Sequence, residues 1–508
     1  MFSQIYSATP VGIEGVLVRV EVDVYARGLP SFTIVGLPDK AVEESKERVR
    51  TALRNTSMTI PSTKIVVNLA PADIPKYGSH FDLPIAVGIL CSSGFIDPKV
   101  VKDKVFIGEL SLDGAVRPVN GVLPIVISAK AQGYNTVFAP IANIEEAQLI
   151  SSVESIGVST IQELVEILRG RIVHQVGKKS YPQWVLAARK KTTHSDFSDI
   201  VGQPLAKRAL EIAAAGGHNI HLKGPPGAGK TMLASATAGI LPDMTEEEGI
   251  DVLRIHSVTA SYRQGDFLWE RPFRAPHHTI SRVGMVGGGS VISPGEISLA
   301  HRGVLFLDEF PEFPRGVLEA LRQPIEDGHV TVTRAIGTFT FPARFMLICA
   351  SNPCPCGYRG DPHKSCRCSA NAISRYQKRL SGPILDRIDM HVSVRPVETK
   401  ELMKNGSAES TGAIRLRVQR ARDKQHRRFA KSRTNAEMTS AEVKETCPLS
   451  EEVQTLLQKA ITQLSLSARA YYKIIKVART ICDMDGSEDI TRNAILEAIQ
   501  YRVDSDRL

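Results

Sequence analysis

The sequence predicts a multidomain α/β protein with a helical C-terminal part. Three observations carry this: a length of 508 residues, strand and helix patterns that alternate up to about residue 396, and helical spacing throughout Ser440 to Arg502. So long a chain exceeds one core, because domains typically hold roughly 100 to 200 residues. Apolar residues make up 43% and charged residues 23%, ordinary for globular proteins, which excludes a disordered chain. No run of about 18 apolar residues occurs, and the opening MFSQIYSATP has no basic segment before an apolar one. Neither a membrane span nor a signal peptide is expected, and the expected location is the cytoplasm. The net charge of +9 points toward a polyanionic partner, although its spread over this length makes its location decisive.

Taken in order, GVLVRVEVDV alternates as a half-buried strand does, and DKAVEESKERVRTALRN has helical spacing. KIVVNLAP is a strand and DLPIAVGILCSSG an apolar helix; a second cycle runs through GELSLDGAVRPV, GVLPIVISAKAQG and NTVFAP. Residues 1–170 are therefore expected to form one α/β domain. Gly, Pro and charge mark 171–196 as a linker. Residues 197–396 give α/β signals again, and RLRVQRARDKQHRRFAKSR, Arg415 to Arg433, is densely basic. Residues 397–439 are accordingly read as a basic connecting segment and 440–508 as a helical domain.

Within 197–396 the most specific motif is Gly224-Pro225-Pro226-Gly227-Ala228-Gly229-Lys230-Thr231, which fits G-x-x-x-x-G-K-[ST]. It follows the short strand NIHLK and leads into TMLASATAGI as a helix. The glycines let backbone N–H groups converge on phosphate oxygens, Lys230 can reach the β and γ phosphates, and Thr231 can ligate magnesium. GVLFLDE supplies the second part: Asp308 would hold the magnesium, and Glu309 would orient or deprotonate the attacking water. ATP and Mg2+ are the expected ligands. FMLICASNP ends in Asn352, placed to sense the γ phosphate from the neighbouring strand. SGPILDRID supplies Arg387, which at the far edge of the domain would reach a neighbour's ATP and so implies a ring. The other reading of Arg387 is a salt bridge with Asp386 or Asp389.

NPCPCGYRGDPHKSCRC holds four of the eight cysteines, Cys354, Cys356, Cys366 and Cys368. In a reducing compartment two close pairs fit a metal better than disulfides. Four thiolates on one polar loop, 354–368, can hold a structural zinc with no position open to water. The Cys-x-Cys spacing is tighter than usual; free thiols are the other reading, and His363 could replace one ligand.

Together GPPGAGKT, RPFRAPHHTISRVGMVGGG, PGEISLAHRGVLFLDEFPEF, CASNPCPCG and SGPILDRID resemble the magnesium-chelatase-like AAA+ ATPases. With the N-terminal region, nearly the whole chain resembles the ComM/YifB family within them. The resemblance implies an AAA+ P-loop NTPase core with an insert in helix 2, a helical lid and a homohexamer. It implies a second sensor arginine, placed at Arg469 in SARAYYKIIKVART. It also implies ATP-driven DNA helicase and branch-migration activity on recombination intermediates in natural transformation. Its partners would be single-stranded and branched DNA, and possible recombination proteins. The N-terminal region is similar to the Lon protease fold, a ribosomal-S5-like α/β domain. Asp82 stands where the serine nucleophile is expected, and Leu123 and Pro124 near the expected lysine. A carboxylate cannot replace an activated hydroxyl, and nearby Ser79 has no lysine in register, so no peptidase activity is expected.

By analogy with related helicases, Arg282 in ISRVGMVGGG and Arg334 near the tip of GHVTVTRAIGTFTF would face a pore and touch DNA phosphates. Each could equally be an ordinary surface arginine. The Arg415 to Arg433 segment could bind the backbone too, or be simply solvated. Such contacts would be salt-sensitive and indifferent to sequence. Two other classes share the ATP chemistry: a chelatase-type subunit driving metal insertion with a large tetrapyrrole-binding partner, and an AAA+ unfoldase.

Overall fold

The computed structural model describes residues 2–25, 29–58, 63–172, 195–259, 262, 269–289, 292–334, 337–361, 364–379, 382–397, 409–464 and 466–502. His363 and most of the expected linker, 173–194, lie outside the described residues. The chain divides into two compact units, residues 1–188 with 253–267 and 333–339, and the remainder.

The first unit is built on strands β1 (Phe2–Val11), β2 (Glu14–Tyr25), β3 (Ser31–Val35), β4 (Lys64–Ala70), β5 (Lys104–Phe106), β6 (Thr136–Pro140) and β7 (Glu154–Val158). They form one mixed sheet in the order β3-β4-β2-β1-β5-β6-β7. β1 pairs antiparallel with β2 from Phe2↔Asp23 to Val11↔Glu14. β1 escapes an apolar pattern search because its buried positions include Ser3, Ser7 and Thr9. Helix α1 (Lys40–Asn55) starts where the Asp39 carboxylate accepts the Val42 N–H at 2.8 Å. Helix α2 (Asp82–Ser92) is buried along its whole length, as its unbroken apolar run requires.

Asp82, at the start of α2, is fully buried. Its carboxylate accepts from Arg48 at 2.7 and 3.0 Å and from the Leu110 N–H at 3.1 Å. Burial raises its pKa, and Arg48 and Ser45 oppose that. The position expected to match a nucleophile therefore holds a structural ion pair. The Ser79 hydroxyl donates to the Glu109 carboxylate. Leu123 and Pro124 open the helix Val122–Ala131 and are buried in it.

The second unit carries β8 (Ile220–Lys223), β9 (Phe273–Arg274), β10 (Val304–Leu307), β13 (Met346–Ser351) and β14 (Met390–Ser393); β11 (His329–Arg334) and β12 (Gly337–Pro342) belong to it except for residues 333–339. The main sheet runs β9-β10-β13-β8-β14, all parallel; β11 and β12 form a separate hairpin. Helix α3 (Pro204–Gly216) precedes β8 and α4 (Lys230–Ile240) follows it. Between β9 and β10 lie a short helix, Arg282–Val286, and a two-residue antiparallel ladder, Gly287↔Pro294 and Gly288↔Ser293.

One apolar cluster runs from Phe197 to Tyr501 and takes in the C-terminal helices. Within the segment expected as a basic connector, 397–439, of which 398–408 lie outside the described residues, runs helix α5 (Thr411–Phe429), packed on that cluster through Ile414, Val418 and Ala421. Four of its six arginines are used internally, and Arg420 and Arg427 are exposed. Arg422 is buried and donates to the Ala214 and Ala215 carbonyls at the end of α3, at 3.0 and 3.2 Å. Arg417 pairs with Glu211, Arg415 with Asp243 and Arg428 with Asp483. Among the described residues no helix is long and apolar enough to cross a membrane.

Replacing Arg48 with Met would leave the Asp82 carboxylate buried without its cation. The substitution is expected to cost the first unit about 3 kcal/mol in urea unfolding followed by circular dichroism.

Candidate functional site

The nucleotide motif sits where β8 turns into α4. Gly227 and Gly229 have φ of +77° and +84°, a left-handed backbone that glycine adopts without strain. Gly224 has a different reason: a Cβ there would lie 2.2 Å from the Val394 carbonyl oxygen beyond β14. The turn thus brings a chain of N–H groups to the helix N-terminus, an arrangement that receives phosphate.

Three strand ends meet at this turn. Lys230 is buried, and its ammonium donates to the Gly224 and Pro225 carbonyls at 2.8 and 2.9 Å and to Asn352 Oδ1 at 3.2 Å. Burial lowers its pKa while Asp308 opposes the shift. Thr231 Oγ1 donates to Asp308 Oδ2 at 2.8 Å, so the two residues that would share a magnesium ion already touch. The Glu309 N–H donates to Asp308 Oδ1 at 2.8 Å, which sets the pair's relative orientation. Glu309 itself takes a left-handed backbone, φ +49°, and its side chain is more than half exposed. Motif residues Pro226, Gly227, Ala228 and Gly229 also line a cavity of about 420 Å³ with Ile200 and Val397, apolar enough for a base beside the phosphates.

His278 was assigned no role by the sequence reading. Its Nδ1 lies 3.2 Å from Glu309 Oε2. The signal is strand pairing: β9 runs parallel to β10, so residues just past β9 arrive at the same edge as Asp308 and Glu309. An imidazole there can fix the carboxylate that would handle the attacking water.

Arg387 and Arg469 come together elsewhere, on a partner the sequence did not indicate. Arg387 Nη2 lies 2.9 Å from Glu326 Oε2, and Arg469 Nη2 lies 3.5 Å from Glu326 Oε1. The alternative of a salt bridge for Arg387 is met by Glu326, not by Asp386 or Asp389. Asp389 is taken by Lys473 at 2.9 Å and by the Asn219 N–H at 2.9 Å. Burial alone would raise its pKa, but Lys473 and His218 hold it well below the usual carboxylate range. Arg387, Arg469, Lys473 and Lys476 line a cavity of about 1030 Å³, to which residues 224–231 contribute nothing among the described residues.

The remaining expected sites are placed as follows. Arg282 is exposed at the first turn of its short helix, and Arg334 is exposed at the end of β11. The Cys354, Cys356, Cys366 and Cys368 sulfurs all lie within 4.8 Å of one another, a set compatible with a structural zinc.

Residues 196–402 match the family model described as magnesium chelatase, subunit ChlI. Residues 20–143 match the model for subunit ChlI of Mg-chelatase, and 408–502 match the one for its C-terminal part. Competence protein ComM of Haemophilus influenzae is 43% identical over 499 residues, 98% of this chain and 97% of that protein. The uncharacterized protein YifB of Escherichia coli is 40% identical over 508 residues, 100% and 98% of the two chains. Lon protease 2 of Bacillus subtilis is 30% identical over 169 residues, 30% of each chain.

Glu309→Gln is expected to keep nucleotide binding and to lower ATP turnover by about 10²- to 10⁴-fold, read by phosphate release beside fluorescent-nucleotide titration. Lys230→Ala is expected to lose both.

Proposed function

This chain belongs to the ComM/YifB family of magnesium-chelatase-like proteins, and from that premise we propose that it is an ATP-driven, ring-forming DNA motor promoting branch migration of recombination intermediates. The observation that carries the ATP part is the convergence of Lys230, Thr231, Asp308 and Asn352 at one edge of the parallel sheet. In this reading Lys230 and the motif N–H groups hold the phosphates, while Thr231 and Asp308 would hold magnesium. Bound magnesium would neutralise charge on the phosphate oxygens. Glu309, held by His278, orients and deprotonates the attacking water, and Asn352 senses the terminal phosphate.

The ring is supported by the position of Arg387 and Arg469. Both line a cavity of mixed charge, held there by Glu326, to which the nucleotide motif contributes nothing. Arginines placed there serve a phosphate supplied by another subunit, Arg387 as finger and Arg469 as second sensor. A finger of this type is worth about 10³ to 10⁵ in rate. A homohexamer is the assembly proposed.

The printed name of the Haemophilus influenzae relative, a competence protein, supports a task in natural transformation. Contacts to DNA would fall to exposed Arg282 and Arg334, with no base reading. The first unit, with Asp82 in place of a nucleophile, is proposed to have no peptidase activity, which removes the main support for an unfoldase. The matching family models favour one second reading, a chelatase-type subunit that drives metal insertion. DNA separates the two: a chelatase-type subunit ignores it.

Mixing Lys230→Ala chains, which lack nucleotide, with Arg387→Ala chains, which lack the finger, is expected to restore part of the ATP turnover. A mixture that co-assembles and stays inactive removes the shared site. On a three-stranded branched substrate, wild type with ATP is expected to displace the labelled strand and Glu309→Gln is not. Displacement should weaken as salt rises, and active ATPase without displacement would overturn the motor.

A further inference from the structure

The cysteine loop does more than follow Asn352: it lines the cavity beside the phosphate turn. Cys354 and Cys356 sulfurs are 3.4 Å apart, and each lies 3.6 Å from Cys366 Sγ. Four thiolates around one zinc at about 2.3 Å stand about 3.8 Å from each other in a tetrahedron. A disulfide would need about 2.0 Å. The Cys356 N–H also points to Cys368 Sγ at 3.4 Å, the kind of outer contact that steadies a ligating thiolate.

The loop has little else to hold it. Among its described residues from 354 to 368 only Cys354 and Gly357 are buried. So small an apolar burial cannot offset the entropy of ordering the segment, and a metal can.

What the loop touches gives the metal a task. Gly357 presses on the nucleotide motif so closely that a Cβ would lie 2.5 Å from Pro226 Cδ. The next residues, Tyr358, Asp361 and Lys364, line the same 420 Å³ cavity as Gly227 and Gly229. Lys364 Nζ stands 4.9 Å from the centre of the Tyr358 ring, so an aromatic surface and a cation face the cavity together. The loop begins two residues after Asn352, which itself accepts from Lys230.

We propose that Cys354, Cys356, Cys366 and Cys368 bind one zinc ion, and that this metal builds the outer wall of the nucleotide cavity, with Tyr358 as the wall's contact to the base. Nucleotide affinity then depends on zinc although zinc touches no nucleotide atom. This rests on the ATP-site reading above and adds to it a metal requirement and a base-contacting residue.

The test measures zinc by elemental analysis and the affinity for a ribose-labelled fluorescent ADP on full-length protein. Each is read as purified, after chelation, and after zinc is returned. About one zinc per chain is expected, with affinity falling at least tenfold on removal and recovering on return. Tyr358→Ala is expected to keep its zinc and lose affinity about three- to tenfold, a readout that does not depend on the loop's folding without metal. Purified protein without zinc overturns the proposal, as does zinc-bearing protein whose ADP affinity survives chelation unchanged; both leave the ATP site standing. Zinc-bearing wild type that binds no ADP overturns the ATP-site reading and this proposal with it.

Discussion

The site depends on parallel registration of three buried strands. β8, β13 and β10 are adjacent, and the pairing fixes Lys223 opposite Ser351 and Leu307 opposite Cys349. Each chain therefore leaves the sheet at one edge, and the next residues, Gly224, Asn352 and Asp308, have no choice but to meet. The strands VLFL and MLICAS are buried at every position, as parallel strands covered on both faces must be. Helices on either side hold that register, and a slip of one residue would separate Asp308 from Thr231.

This explains which parts of the site could be read from sequence. The phosphate turn is local: glycine spacing, the preceding strand and the following helix lie within twenty residues, so GPPGAGKT and its lysine were legible. Asp308 and Asn352 were legible because strand ends advertise themselves as apolar runs that stop at a polar residue. His278 and Glu326 were not, since nothing local marks a histidine four residues past a two-residue strand or a glutamate that gathers one arginine from a turn and another from a distant helix. The same holds for folding. β1 hides its strand period behind buried serines and a threonine: Ser3 donates to the Gly88 carbonyl 85 residues away, while among the described residues the Ser7 and Thr9 hydroxyls find no partner.

Asp82 shows how firmly a buried helix start can hold one side chain. A residue at the start of a wholly buried helix is well placed to be held rigidly, which suits a nucleophile and suits a structural carboxylate equally. Here Arg48, Ser45 and the Leu110 amide surround it. Its worth lies in tying α1 to α2 across the first unit.

Charge is the property that the sequence most readily misrepresents. The net +9 and the basic run from Arg415 to Arg433 suggest a broad surface for a polyanion. Yet Arg415, Arg417, Arg428 and Arg433 are each matched to a carboxylate, and Arg422 is spent on helix-end carbonyls. Matched arginines contribute little field beyond about 8 to 10 Å at physiological salt. Contacts to a polyanion would then fall to cations that remain exposed, such as Arg282, Arg334, Arg420 and Arg427, each neutralising about one phosphate. Affinity of that kind is small per chain and falls with salt in proportion to the number of phosphates engaged. Such a grip would gain strength wherever the same loops are repeated side by side.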